Sequence, residues 1–348
     1  MRNIGMMTIA MRTFNKIQTL YFVPAVFQGW QNHQQALLED CQGKELRLAG
    51  DARCCSPGHT AKFGSYSVMD MSTSKILDVQ MVQVTETKNS YWMELQGLKR
   101  CLQFLGDKSM NVTHIITDRH SQIKKYLRET WPAIIHWFDV WHVAKGIRKK
   151  LDKLAKKKLC KSIGNWAASI SNHIYWCAAS SKGNAKLVLA KWLSVGRHVI
   201  NKHRGHGAPF PRCLHKRLED RDWMKEGSKA YLELMLVLKQ PALIRDIGQL
   251  SPAEQTSSLE SYHNICCHFA PKSVHFPYEG MKARLFLAAI HFNENSNRDQ
   301  AVDKDGSERW SISYPKGRKG EPIAKEVKVP VTYSTFTCLF KAFESKPD

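Results

Sequence analysis

Three acidic residues stand where a carboxylate can act on phosphate. Asp51 closes the apolar run Leu46-Arg47-Leu48-Ala49-Gly50, Asp118 closes Val112–Thr117, and Glu260 is the only acid between Gln255 and Tyr278. Mg²⁺ takes hard oxygen ligands and keeps positions open for water and phosphate. Two such ions about 4 Å apart activate the attacking oxygen and stabilise the leaving one in phosphodiester chemistry. Asp51, Asp118 and Glu260 are the expected catalytic residues and Mg²⁺ (or Mn²⁺) ligands, with Asp139 and His263 supporting the ligands rather than binding metal. Each acid also has a plainer reading. Asp118 and Asp139 both precede helical patterns, and Asp is a preferred N-cap; Glu260 alone reads as a solvated helix residue.

A second donor set lies downstream. His203-x-x-His206 and Cys213-x-His215 offer four nitrogen or sulfur ligands within thirteen residues. Zn²⁺ takes such ligands tetrahedrally, and a loop poor in apolar residues gains order from it. The spacing matches no standard finger. Cys160, His173, Cys177 and His198 are alternative ligands, and a polar loop with solvated histidines is the plain alternative.

Basic residues crowd between these two sets. Lys145, Arg148, Lys149, Lys150, Lys153, Lys156, Lys157, Lys158 and Lys161 face a single acid, Asp152, within 145–161. Ile147, Leu151 and Leu154 fall on one face, so an amphipathic helix with a positive outer face is expected. A solvated face, a nuclear-import signal and a grip on phosphate backbone all fit; the last suits a neighbouring phosphodiester site. The ten tryptophans could stack on bases, although Trp92 and Trp192 sit at helical spacing and read as core.

These side chains need elements to hold them. Strands are expected at 46–51, Phe63–Met71 and Ile76–Val84, the last two joined through Ser72-Thr73-Ser74-Lys75. Trp92, Leu95, Leu98, Leu102 and Leu105 mark a helix over 90–105. A strand at Val112–Thr117, a helix to Glu129 and a strand at Ile134–Phe138 follow. The order β-β-β-α-β-α-β, a meander followed by alternation, is that of an RNase H-like mixed α/β sheet. In that sheet the strands of Asp51 and Asp118 are neighbours.

The remaining segments fall around this core of 44–142. Residues 1–43 read as helical, with Ile9, Met11, Phe14, Ile17, Leu20 and Tyr21 hydrophobic enough to need a packing partner. A large, mostly helical insertion over 143–250 carries the basic helix and the His/Cys loop. Residues 251–295 return to the core with Glu260, and 296–348 read as a polar tail.

Composition limits the partners. The 348 residues have 43% hydrophobic and 24% charged content, an ordinary globular balance. A formal charge of +21 points to a polyanion, nucleic acid before an acidic membrane. No apolar run approaches the roughly 18 residues a span needs. Ten cysteines without a secretory signal suggest a reducing compartment.

Several blocks resemble a family. Gly50-Asp51-Ala52-Arg53-Cys54-Cys55-Ser56-Pro57-Gly58-His59 resembles the first-aspartate block of a DDE/D transposase-derived family of animals, Kolobok-like or related. Thr117-Asp118-Arg119-His120 with His136-Trp-Phe-Asp139-Val-Trp-His142-Val-Ala-Lys145 resembles the second. Glu254-Gln-Thr-Ser-Ser-Leu-Glu260-Ser-Tyr-His263, Ala270-Pro-Lys272 and Gly280-Met-Lys-Ala-Arg284 resemble the third. The resemblance covers about residues 10–335. It implies Mg²⁺-dependent DNA strand cleavage and transfer by Asp51, Asp118 and Glu260, in the nucleus, on DNA and no membrane, with a homo-oligomer on DNA ends. Lys145, Arg148, Lys149, Lys150, Lys153, Lys156, Lys157 and Lys158 are the expected DNA contacts.

Two departures bear on activity. Relatives usually read Gly-Asp-Gly-Arg-x-Asp-Ser-Pro-Gly in the first block, and Ala52 and Cys55 stand at the second Gly and second Asp. A thiol is a poor Mg²⁺ ligand. No recognisable DNA-binding finger precedes the core. A domesticated DNA-binding or scaffold protein without turnover is therefore the alternative reading.

Overall fold

The computed structural model describes residues 9–56, 60–216, 218, 220–252, 256–315 and 320–334. Its main sheet is mixed, with five strands in the order β3-β2-β1-β4-β5. They are β1 (Glu45–Cys54), β2 (Phe63–Asp70), β3 (Lys75–Gln83), β4 (Asn111–Thr117) and β5 (Ile135–Phe138). β2 and β3 form an antiparallel hairpin; β1 with β4, and β4 with β5, run parallel. The hairpin turn is organised by Asp70, whose carboxylate accepts the backbone N–H groups of Ser72 and Thr73 at 3.3 and 3.0 Å. β1 continues past Asp51, so the expected strand end at that aspartate is corrected: the apolar run stops at Gly50, but strand backbone extends to Cys54.

The chain divides into two compact units. One takes the described residues of Met1–Lys44, Ala52–Met110 and Glu260–Asp348; the other takes Glu45–Asp51 and Asn111–Leu259. The helical insertion shares a unit with β4 and β5, and the N-terminal helices share one with β2 and β3.

In the first unit, α3 (Ser90–Asp107) buries Met93, Leu95, Leu98, Cys101, Leu102 and Leu105. Gly97 permits the close approach to β2, because a Cβ there would lie 2.4 Å from Tyr66 Cβ. α1 (Met11–Ile17) runs through one π-helical turn at Gln18–Phe22 into α2 (Val23–Cys41). α2 packs Trp30 on Phe286 of α11 (Tyr278–Asn295), ring centroids 5.2 Å apart. α11 then reaches β3, where the Asn293 side-chain amide accepts Ile76 N–H at 2.7 Å and donates to Ile76 O at 2.9 Å. α1 buries none of its residues, and Ile9, Met11, Phe14, Leu20 and Tyr21 are exposed, contrary to the packing expected of them. The expected tail instead carries an antiparallel pair, β6 (Trp310–Ser313) and β7 (Ile323–Glu326).

In the second unit, five helices follow β5's end: α5 (Val140–Ala155), α6 (Ser162–Ser180), α7 (Ala185–His198), α8 (Lys229–Leu238) and α9 (Pro241–Ile247). α5 buries Val140, Val143, Ala144, Ile147 and Leu151, the i, i+3, i+4 spacing of one apolar stripe. Trp166 and Trp192 are fully buried, and their indole N–H groups donate to Asp222 O at 3.2 Å and Leu238 O at 3.1 Å. Each such ring removes about 150–250 Å² from water, worth roughly 4–6 kcal/mol of transfer free energy. The basic helix is shorter than expected. α5 stops at Ala155 and Leu159 takes a left-handed φ of 66°, so Lys156, Lys157 and Lys158 lie in a turn. Among the described residues no helix is long and apolar enough to cross a membrane.

Candidate active site

Strand register brings the acids level. The ladders end with Ala49 beside Ile116 and Thr117 beside Phe138. Two residues beyond the first pair, Asp51 falls opposite Asp118; one beyond the second, Asp118 falls opposite Asp139. Three aspartates therefore form a row, Asp51 within β1 and Asp118 and Asp139 just past the carboxyl ends of β4 and β5, near the edge where open α/β sheets place their ligands.

Each plays a different part. Asp118 follows β4 and precedes α4 (Ser121–Thr130), yet the N-cap of α4 is His120, whose ring accepts Ile123 N–H at 3.3 Å. Asp118 is thus not spent on capping. Its Oδ1 is buried without a hydrogen-bond partner. Burial, then the charge of Asp51, push its pKa above the usual carboxylate range, against the pull of His142 and His120. Asp139 does cap its helix, accepting Trp141 N–H at 3.0 Å. Its carboxylate also accepts His142 Nδ1–H at 3.0 Å and the Thr256 hydroxyl. Burial would raise the Asp139 pKa, but the bonds from His142, Thr256 and Trp141 outweigh it and hold it low. The bond to Asp139 raises the His142 pKa despite burial, with Asp139, Asp118 and Asp51 adding their charge. Arg119 fixes the intervening turn through an ion pair with Asp246 of α9 at 3.0 Å.

Two crowded carboxylates, one with an orphaned buried oxygen, fit a hard divalent cation. Asp51 and Asp118 would hold it. Glu260 lies half-buried in the first turn of α10 (Ser257–Phe269), with His263 three residues on, and both belong to the other unit. Cys55 is occupied structurally: its sulfur accepts Phe63 N–H at 3.3 Å and packs on Ala61, Val82 and Met93. Pro57, Gly58, His59, Glu254 and Gln255 of the sequence blocks lie outside the described residues.

Sequence reasoning gave His142 no role, although its i, i+3 spacing from Asp139 could have signalled the pair. Thr256 carried no signal, being one hydroxyl among several in Thr256-Ser-Ser.

Along α5 and its following turn, Lys145, Lys149, Lys150, Lys153, Lys156, Lys157 and Lys158 are exposed and Arg148 half-buried. Some already have partners. Lys145 sits 4.0 Å from the Trp141 ring centroid, Arg148 pairs with Asp152 at 2.9 Å, Lys150 donates to Gln240 at 2.7 Å and Lys157 pairs with Glu233 at 3.1 Å.

The second donor set assembles with one substitution. His203, Cys213 and His215 come together with His198, the last residue of α7, their ligand atoms all within 4.8 Å of one another. His206, expected among the four, instead lies with Nε2 3.3 Å from Cys213 Sγ. Burial, with His203 and His215 adjacent, lowers His198 to about 4, which keeps the imidazole neutral near pH 7. No family model matches the chain, and a search of the curated proteins finds no match.

Proposed function

We propose that the chain is a transposase-derived polynucleotidyl transferase whose Asp51 and Asp118 hold Mg²⁺ for cutting and joining DNA in the nucleus. The observation that carries this reading is the Asp51–Asp118 pair, level across the neighbouring parallel strands β1 and β4, with a buried Asp118 oxygen lacking a partner. The strand order β3-β2-β1-β4-β5, with β1, β4 and β5 parallel, supports an RNase H-like core. Glu260 follows Thr256, the Asp139 partner, by four residues in the chain.

Bound Mg²⁺ would supply charge that polarises the phosphoryl group and eases deprotonation of the attacking oxygen. The chain's own residues do the rest. Asp51 and Asp118 supply negative oxygens whose mutual repulsion favours a cation. Asp139 fixes the His142 ring through Nδ1, leaving Nε2 for an anionic oxygen, and its bond raises the His142 pKa. The exposed lysines of α5 and its turn would hold phosphate backbone without reading sequence.

A second reading, a DNA-binding protein that has lost turnover, is favoured by Cys55, which stands where relatives carry a second aspartate and is taken up in packing. One experiment separates the two. Supercoiled plasmid is incubated with the full chain in Mg²⁺, Mn²⁺ or EDTA, and nicking is followed beside duplex binding. Turnover predicts nicking that needs metal and falls at least roughly a hundredfold in Asp118→Asn, because several kcal/mol of charge stabilisation are removed. Binding should survive that substitution. Wild-type binding without nicking in either metal supports the second reading, and no binding at low salt overturns both.

A further inference from the structure

We propose that His198, His203, Cys213 and His215 form a structural Zn²⁺ site that ties the 199–223 loop to the end of α7, independent of the acidic pair. The donors are one thiolate and three imidazoles, a set that suits zinc and offers nothing to Mg²⁺.

The four donors lie near enough to one another to share one ion. With Zn–N about 2.0–2.1 Å and Zn–S about 2.3 Å, a tetrahedral site of three nitrogens and one sulfur has ligand–ligand edges of about 3.3–3.6 Å. Cys213 Sγ and His198 Nδ1 are already 3.6 Å apart, and all four ligand atoms lie within 4.8 Å of one another. Small rotations of the imidazoles about χ2 close the rest.

The outer contacts leave the right lone pairs. His203 Nε2 is 2.8 Å from Asn201 Oδ1, so the ring keeps its proton there, and Nδ1 is buried with no partner. His215 Nδ1 donates to Lys216 O at 2.7 Å, which leaves Nε2 for metal. His206 Nε2 lies 3.3 Å from the sulfur, placed to donate a hydrogen bond to a thiolate. Metal-bound imidazoles characteristically have their second nitrogen held in this way.

The backbone is arranged for the same end. Cys213 N–H donates to His203 O at 2.9 Å, and Arg204 bridges Arg212, so the two ligands face each other across a narrow loop. Gly205 and Gly207, at φ of 73° and 91°, allow the reversal between them. Trp223 closes one side, its ring centroid 5.4 Å from that of His203 and 5.8 Å from that of His198. A cavity of about 380 Å³ lined by Trp166, Trp176 and Phe210 borders the ligands on another. Four protein ligands complete the coordination, so the role is structural rather than catalytic.

The test needs neither DNA nor activity. The full chain is purified without chelator and its zinc counted by mass spectrometry, with about one ion per chain expected. Stripping with chelator should lower the melting temperature, and Zn²⁺ but not Mg²⁺ should restore it; this arm needs no variant. His198→Ala and Cys213→Ser should lose the ion. His206→Ala should keep it, while binding roughly 10–100-fold more weakly. Substituted Co²⁺ should show tetrahedral visible bands and a thiolate charge-transfer band absent from Cys213→Ser. A chain without zinc whose melting temperature ignores added Zn²⁺ overturns the proposal. So does zinc retained in His198→Ala but lost in His206→Ala, or a weak octahedral cobalt spectrum. Asp118→Asn should leave the zinc count unchanged, so this site and the DNA-cutting reading stand or fall separately.

Discussion

A half-buried carboxylate beside a second carboxylate gives up its proton less readily than a free one, and Asp118 is in that position. Between its unfolded and its raised folded pKa, the folded chain binds more protons than the unfolded chain. Its contribution to stability is thus present below the unfolded value and lost as pH rises through the folded one. Asp51→Asn removes one of the two causes while keeping the side chain's shape. At pH 7 in EDTA the variant should melt about 2–4 °C above wild type, on the order of 1 kcal/mol for a unit of this size. That advantage should shrink as pH falls towards the carboxylate range. Added Mg²⁺ should raise the wild-type melting temperature and leave the variant nearly unmoved. A variant that melts lower in EDTA would show that the pair is not repulsive. Sites that bind cations commonly sacrifice stability in this way.

At the scale of elements, α3 sits on β2 only because residue 97 lacks a side chain. Ala favours helix over Gly by about 1 kcal/mol. The Cβ contact of 2.4 Å with Tyr66 must still be relieved by backbone movement. Gly97→Ala is therefore expected to destabilise by roughly 1–3 kcal/mol in urea unfolding. A gain in stability would mean that α3 can lift freely. Elements of the sheet were legible in sequence because apolar runs alternate with polar turns, and Asp51 and Asp118 could be found from the ends of those runs. The basic helix was overextended because lysine is a good helix former and nothing in Lys156-Lys-Lys announces the turn that Leu159 makes. His198 could be named only as one of four alternative ligands, because a ligand from the end of a helix shows no loop spacing. Trp92 reads as core from its period, yet it is only half-buried, with Lys88 Nζ 5.4 Å from the ring centroid. The hairpin of β6 and β7 is too short and polar to stand out.

For the whole molecule, the formal charge of +21 predicts an affinity for polyanions that depends on salt. The lysines differ in availability. All six are exposed, but Lys150 and Lys157 are engaged by Gln240 and Glu233, whereas Lys149, Lys153, Lys156 and Lys158 make no such contact among the described residues. Replacing those four with Gln should lower duplex affinity and flatten the log–log salt slope by about 0.9 for each phosphate that is no longer neutralised. Replacing Lys150 and Lys157 should change the slope less. Equal effects from both sets would mean that charge acts only in bulk.

One unit of this molecule is assembled from three stretches of chain, and its β3 is met at Ile76 by Asn293, 217 residues later. A ribosome adds roughly 5–20 residues per second, so the nascent chain carries that hairpin for roughly 10–45 s before the strand that emerged first can meet its helix. The apolar side chains of β3 and α2 that α11 covers must be kept from other chains throughout that interval. Protection during synthesis, more than final stability, would then limit how much of the chain is recovered folded.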